Sequence, residues 1–488
     1  MGRTDFIEET AERRGRAPVG RSENLALAAA SLGFAIVQLD VSVVNVAVRS
    51  IGAELGGGIT GLQWVVDAYT VVFAALMLTA GALGDRYGAR RMLLLAFGAF
   101  TLASVACGLA PSIGALIAFR AVQGIGAAAL GSCSLALLSR AFPAGPGRAR
   151  ALGIWAVSGS IAMAAGPLAG GALIAAAGWR AIFFINLPVG VAGIWFTMRS
   201  PGQRAEVRGG MDLPGQVTAA VALAALAGAT IEAGSHGFTT LVLAGYVIAA
   251  VAATAFVVIE RRTARPMLPL PLFRNGAFSA AVSIGCALNV AAYGLLFVFS
   301  LFLQRGEGLP ALATGAAFLP AMAAVMAGNT VSARMLRTRG PQPAIVRGGL
   351  VMGAACAALW LTMLWLPVLR TSASETSAPS AVTVAVLVTG LAAVTFGVGL
   401  IMPAMTAAVL GAADPARAGV AAGTLTAFRQ SGSVLGVAVF GAFSGAGLAG
   451  GLRASLLAAL VLAAAVAALS RLTAGRGEPA GSGAGGDG

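Results

Sequence analysis

Four charged side chains stand inside otherwise apolar stretches of this sequence: Asp40, Asp67, Arg120 and Arg429. A charge within a membrane span is costly and is usually there for function. A carboxylate in a dry cavity holds its proton tightly, and a nearby guanidinium loosens that hold. A carboxylate with a movable Arg partner can therefore load and unload a proton as access to it changes. Asp40 with Arg120 is the first candidate pair, and Asp67 is the second acid. Gln123 follows Arg120 by three positions and shares its helix face. At about 100° per residue, Asp40 and Asn45 point roughly 140° apart. Asp40 is therefore assigned to the interior and Asn45 to helix contact. The competing reading of both acids is a static ion pair that fixes helix register. Glu232 ends a span, where an interfacial role suffices, and His236 falls in a loop, where solvation suffices. Gln38, Gln123, Asn289, Tyr293, Phe297, Met402 and Met405 are candidates to line a substrate path. Aromatic and Met side chains suit loose binding of varied apolar molecules, although bundle packing accounts for each of them singly.

The elements that must position these groups follow from composition. The 488 residues are 58% hydrophobic and 10% charged, against about 25% charged in a soluble globular chain. Apolar runs recur at roughly 25–48, 62–83, 92–110, 113–138, 149–175, 181–198, 213–232, 240–259, 277–303, 311–333, 344–366, 382–409, 418–443 and 452–470. Each is long enough to cross about 30 Å of hydrocarbon as a helix, which satisfies its own backbone hydrogen bonds. The alternating ~10-residue segments of a β-barrel are not evident. The expected fold class is an all-α polytopic membrane protein with 14 transmembrane helices.

All 32 basic residues are Arg, and the net charge is +14. Their distribution argues against nucleic acid as the partner. Arg86, Arg90, Arg91, Arg140, Arg148, Arg150, Arg199, Arg204, Arg208, Arg261, Arg262, Arg265, Arg274, Arg334, Arg337 and Arg339 fall in alternate loops. The intervening loops hold Arg49, Arg180, Arg305, Arg370 and Arg453. This is the positive-inside pattern, and it puts both termini in the cytoplasm. Cys107, Cys133, Cys286 and Cys356 all lie in apolar runs and read as packing residues rather than disulfides or metal ligands. No cofactor or metal is expected.

Residues 1–24 mix acids and arginines and read as a cytoplasmic tail rather than a signal peptide. Residues 471–488 are Gly/Ala/Ser-rich and read as a disordered tail. The loop "GALGDRYGARRMLLLAFG" (81–98) has a faint echo in "NTVSARMLRTRGPQPAIVRGGLVMG" (329–353). Two related halves suit a carrier that rocks about a central site. The expected organisation is a six-helix bundle over 25–198, a linker with an inserted two-helix hairpin over 199–276, and a second six-helix bundle over 277–470.

"GALGDRYGARR" closely resembles the loop signature of the major facilitator superfamily, G-x-L-x-D-R-x-G-R-R. Gly81, Leu83, Asp85, Arg86, Gly88, Arg90 and Arg91 fill it, and Gly84 lies within it. Glycines allow a tight turn and close helix approach. The charges form a candidate latch between bundles; a merely topogenic loop explains the arginines but not the ordered glycines and acid. "LDVSVVNVAV" (39–48), "AFRAVQGIGAAAL" (118–130) and "WRAIFFINLPVGV" (179–191) resemble motifs of the family's fourteen-span drug–proton antiporters. So does "GSIAMAAGPLAGGAL" (159–173), with Gly159, Gly166, Pro167, Gly170 and Gly171. "FRQSGSVLGVAV" (428–439) extends the resemblance. It implies the major facilitator fold and the fifth-span antiporter motif.

The function so implied is proton-coupled efflux of small hydrophobic or cationic compounds, drugs or antibiotics, by alternating access. The expected carrier is a monomer in the bacterial cytoplasmic membrane, driven by the proton gradient. ATP is not implied, because the P-loop signature and its Lys are both missing. The alternatives are a proton symporter or facilitator of a small metabolite, a membrane-embedded enzyme, and a sensor. An enzyme needs convergent nucleophiles, acids or metal ligands, which one loop His and scattered Cys do not provide. A sensor needs neither Asp40 nor the latch.

Overall fold

Each apolar run of the sequence is helical, because a helix pairs its own backbone where no water can. The structure, a computed structural model, describes residues 21–142, 146–201, 212–263, 266, 268, 270–371, 381–413, 418–445 and 447–473. The first half comprises α1 (Arg21–Leu55), α2 (Gly58–Tyr87), α3 (Ala89–Gly108), α4 (Ile113–Ala141), α5 (Pro146–Ala177) and α6, which is broken into Ala181–Phe184 and Asn186–Arg199. A hairpin follows, α7 (Leu213–His236) and α8 (Thr240–Arg262). The second half comprises α9 (Gly276–Leu301), α10 (Ala311–Arg339), α11 (Gln342–Thr371), α12 (Ala381–Ala412), α13 (Ala418–Gly445) and α14 (Leu448–Leu469). All but α13 are long and apolar enough to span a membrane on their own. With Arg429 at its middle, α13 packs among them. Most of 1–24 and 471–488, together with Arg204, Arg208 and Arg265, lies outside the described residues.

Helix ends follow local chemistry. Ser112, Asp212, Thr239 and Asn275 each accept a first-turn N–H of α4, α7, α8 and α9, which satisfies an otherwise orphaned donor. Gly88, between α2 and α3, has φ 92°, a conformation that costs glycine little and other residues more.

The two halves use the same pairings. In the first, α1 packs on α5 and α6, and α4 on α2 and α3. In the second, α9 packs on α13 and α14, and α12 on α10 and α11. Between halves, α5 meets α10 and α13 meets α2, the same relation used twice. The weak internal echo of the sequence therefore corresponds to a repeated packing scheme.

The hairpin lies across one of these seams. α7 packs on both α2 and α13. Its hydrogen bonds run to α2: Gln216 Nε2 donates to the carbonyl of Ala75, and Ser235 shares a hydroxyl contact with Thr60. Its contact with α13 is apolar, with Gly234 abutting Ala442 and Gly445 and Ala227 and Ile231 packing on Val434 and Ala438.

Candidate functional site

The first half encloses a polar cluster in an otherwise apolar interior. Asp40 on α1 and Arg120 on α4 are each 1% exposed, and Arg120 Nη1 lies 2.5 Å from Asp40 Oδ2. Asp40 Oδ1 accepts from Gln123 Nε2 at 2.9 Å and Asn186 Nδ2 at 3.0 Å. Both amides also donate to Ser104 Oγ on α3, at 2.6 and 3.0 Å. Arg120 donates through Nε to the carbonyl of Val65 at 3.1 Å and through Nη1 to Gln123 Oε1 at 2.7 Å. Its guanidinium carbon sits 4.1 Å from the centroid of the Tyr69 ring. Five helices thus converge on one ion pair, and three donors reach the carboxylate. Buried charges are tolerated when paired and hydrogen-bonded in this way.

Asp67 stands apart from that cluster. It is 0% exposed, and neither carboxyl oxygen has a hydrogen-bond partner among the described residues. One turn to either side, Trp64 and Val71 pack with Ala227 and Ile231 of α7 and with Val434 and Ala438 of α13. Asp67 therefore belongs to the face of α2 turned toward the seam of the two halves. Asn45 points away from Asp40, and its Nδ2 donates to Val41 O one turn back.

The loop charges hold one half together rather than two. Arg140 Nη2 lies 2.7 Å from Asp85 Oδ1, joining α4 to α2. Arg90 donates to the carbonyls of Thr197 and Met198 at the end of α6, where cations are favoured by the helix dipole. Arg86 lies 5.4 Å from the Tyr87 ring centroid, and Arg91 is exposed. In this conformation the partner of Asp85 lies within its own half, so the expected latch between the bundles is not engaged through it. Gly84 lets α2 approach Cys133 of α4, whose Sγ would lie 2.8 Å from an added Cβ. Gly81 has ordinary clearance, 3.8 Å from Ser132.

The glycines of α5 divide their work. A Cβ at Gly166 would lie 2.5 Å from Ser42 Cβ, one at Gly170 3.3 Å from Val43, and one at Gly159 would overlap the Phe34 ring. These three admit α1. Gly171 faces the other half, where an added Cβ would lie 2.7 Å from the Ala311 carbonyl. Gly315 of α10 returns the contact, abutting the carbonyl of Pro167. Pro167 cannot donate to the carbonyl four residues back, which is that of Met163. Ser42 Oγ donates to that carbonyl at 2.8 Å instead.

Among the described residues, Arg49, Gln63 and Ser300 carry hydrogen bonds between the halves, at one end of the bundle. Arg49 donates to the carbonyls of Gln304 and Leu309, where α9 ends in a π-turn over Phe302–Gly306. Gln63 Nε2 donates to the carbonyls of Val437 and Ala438. Ser300 Oγ donates to the carbonyl of Asn45. Gly171 and Gly315 belong to the same end. Asp85, Arg140 and Arg90 belong to the other.

The substrate-lining candidates are scattered. Phe297 and Met405 are 0% exposed within the apolar core, so in this conformation they pack rather than line open space. Met402 packs against that core, and Gln38 Nε2 lies 3.7 Å from Met163 Sδ on α5. Asn289 and Tyr293 share a face of α9. Sequence reasoning missed Ser104, Asn186, Tyr69 and Arg140 as parts of these sites. Asn186 lies inside the "WRAIFFINLPVGV" stretch and was the most findable; Ser104 looks like any small residue in a span.

The match to the Major Facilitator Superfamily covers residues 30–437. The chain is 37% identical to the multidrug resistance protein Stp of Mycobacterium tuberculosis (strain CDC 1551 / Oshkosh) over 436 residues, 88% of this chain and 78% of the relative. It is 36% identical to the methylenomycin A resistance protein of Streptomyces coelicolor (strain ATCC BAA-471 / A3(2) / M145) over 416 residues, 85% of this chain and 84% of the relative. Among solved structures, a bacterial homologue of the human lysosomal transporter Spinster, in an inward-facing and unoccupied conformation, superposes with TM-score 0.64 at 18% identity over 93% of this chain and 98% of the other. With its helical halves, its seam and its buried charges, the chain belongs to the Major Facilitator Superfamily.

Proposed function

We propose that this chain is an efflux carrier that exports small, largely apolar compounds, drugs or antibiotics among them, in exchange for protons. Relatives that cover most of the chain are named for resistance and export, which supports the cargo class. In this reading the Arg-rich end faces the bacterial cytoplasm, both termini with it, and the Arg49 end faces outward. The conformation is then closed outside, and cargo approaches from the cytoplasm. The carrier works as a monomer, since each half supplies the other with its seam.

The observation that carries proton coupling is Asp67: a wholly buried carboxyl with no partner on either oxygen among the described residues, on the face of α2 turned to the seam. A buried charge without a partner is costly, so such a group is suited to exchange a proton when access to it changes. When the seam opens to water outside, it can ionise or reload. Asp40 has a full set of donors and a fixed guanidinium, and serves as the pivot that holds α1, α4 and α6 in register. Each proton entering under the membrane potential contributes about 2.3 kcal/mol per 100 mV.

The test is dye efflux from cells expressing wild type, Asp40→Asn or Asp67→Asn, with and without a protonophore. Wild-type efflux should collapse with the protonophore. Asp67→Asn should lose uphill export yet still exchange dye across a membrane at equilibrium. Protonophore-insensitive export, or full uphill export by Asp67→Asn, defeats the reading.

A further inference from the structure

In the second half, Arg429 and Asn289 carry polar atoms without a partner among the described residues. Arg429 is the only charge at the middle of α13. The residue is half-buried, and its Nε is sealed from solvent with no partner among the described residues. It lies along α9, with its Cγ 3.3 Å from where a Cβ on Gly285 would be. Asn289 follows Gly285 by one turn and Tyr293 by two, so the three share a stripe of α9. Asn289 is 3% exposed, and its Nδ2 has no acceptor. Tyr293 is within electrostatic reach of Arg429 and of Tyr69, which also lies within reach of Asp40 and Arg120. Tyr69 is 0% exposed, and its hydroxyl too is without a partner.

A buried donor left unpaired is costly, and a guanidinium more so. Here an amide N–H of α9 and a guanidinium N–H of α13 lie on adjoining helix faces, with Tyr293 on the same stripe, and neither donor meets an acid among the described residues. Asp67 does not pair with Arg429 in this conformation, since both carboxyl oxygens and the Arg429 Nε are without a partner among the described residues. What the cluster lacks is an acceptor that carries negative charge. Resting on the efflux reading above, we propose that these groups recognise a carboxylate or similarly acidic oxygen on the cargo, with Arg429 as its counter-charge, so that the charged cargo favoured by this protein is an apolar anion and not a cation.

The test uses fluorescein and rhodamine 123, which share a ring scaffold but differ in charge. Binding to purified full-length protein is read by fluorescence anisotropy, and transport in proteoliposomes by dye accumulation under a pH gradient. Wild type should bind fluorescein more tightly than rhodamine 123. Arg429→Gln should weaken fluorescein binding by about tenfold or more with rhodamine binding unchanged or improved. Arg429→Lys should restore part of it, which a misfolded variant cannot do. Asn289→Ala should weaken fluorescein binding less. Preferential binding of rhodamine 123 by wild type overturns the proposal and leaves efflux standing. Equal loss of both dyes in Arg429→Gln also overturns it, by assigning Arg429 to coupling or structure. Arg429-dependent fluorescein binding without transport supports the site and overturns the efflux reading instead.

Discussion

Ser42 on α1 donates its hydroxyl to the carbonyl of Met163 on α5, the carbonyl that Pro167 deprives of its helical donor. A proline in a span is tolerated where a neighbouring helix re-satisfies the freed group. Gly166 makes this possible, since any side chain there would collide with Ser42. The glycine, the proline and the serine therefore act as one unit.

Ser42→Ala should lower the thermal stability of the detergent-solubilised protein by about 1–3 kcal/mol, the cost of an unpaired buried acceptor. In a Pro167→Ala background the same change should cost little, because Met163 then regains its own helical donor. A double-mutant cycle of melting temperatures measures the coupling. Additive losses would mean that the two residues act separately.

The Asp40–Arg120 pair should behave as a buried pair whose halves cannot be removed singly. Asp40→Asn strands a guanidinium and should destabilise by about 3–5 kcal/mol. Arg120→Lys should rescue poorly, because a point ammonium cannot bond Val65 O, Gln123 and Asp40 while lying flat on Tyr69. Retention of wild-type stability and efflux by Arg120→Lys would contradict this geometry.

Arg49 and Gln63 hold the halves together through main-chain carbonyls, not through an ion pair. Arg49→Ala with Gln63→Ala should open the end they join. A hydrogen bond to a charged group contributes about 1.5–3 kcal/mol, so the shift in population should be large. Spin-label distances across the Arg49 end in nanodiscs should lengthen in the double variant. An unchanged distance distribution would assign closure to packing alone.

Gly315→Ala should act in the same direction by crowding. Its new Cβ would press on the Pro167 carbonyl, which is rigid backbone. Cysteine labelling from the Arg49 side should speed up, with the melting temperature little changed. Gly81→Ala, with 3.8 Å of clearance to Ser132, is the neutral control.

The helices were legible because apolar length alone specifies them, and so was the pairing of Asp40 with Arg120, since few charges were available to choose from. The rest of that cluster was not. Ser104 and Asn186 matter only because α3 and α6 converge there, which no local pattern records. Arg140 was read as one of many loop arginines; only the helix packing makes it the partner of Asp85. Phe297 and Met405 show the reverse case. Their side-chain types suit a binding surface, but their helix faces point into the core.

The hairpin α7–α8 is not a neutral bystander to the rocking of the halves. α7 touches both, and it cannot follow both when they separate. Among the described residues, its side-chain hydrogen bonds to the bundles run to α2, whereas on α13 it packs through Gly234 against Ala442 and Gly445 and through Ala227 and Ile231 against Val434 and Ala438. A hairpin tied by hydrogen bonds to the first half and only packed on the second is expected to stay with the first when the halves separate, as a keel beside Asp67.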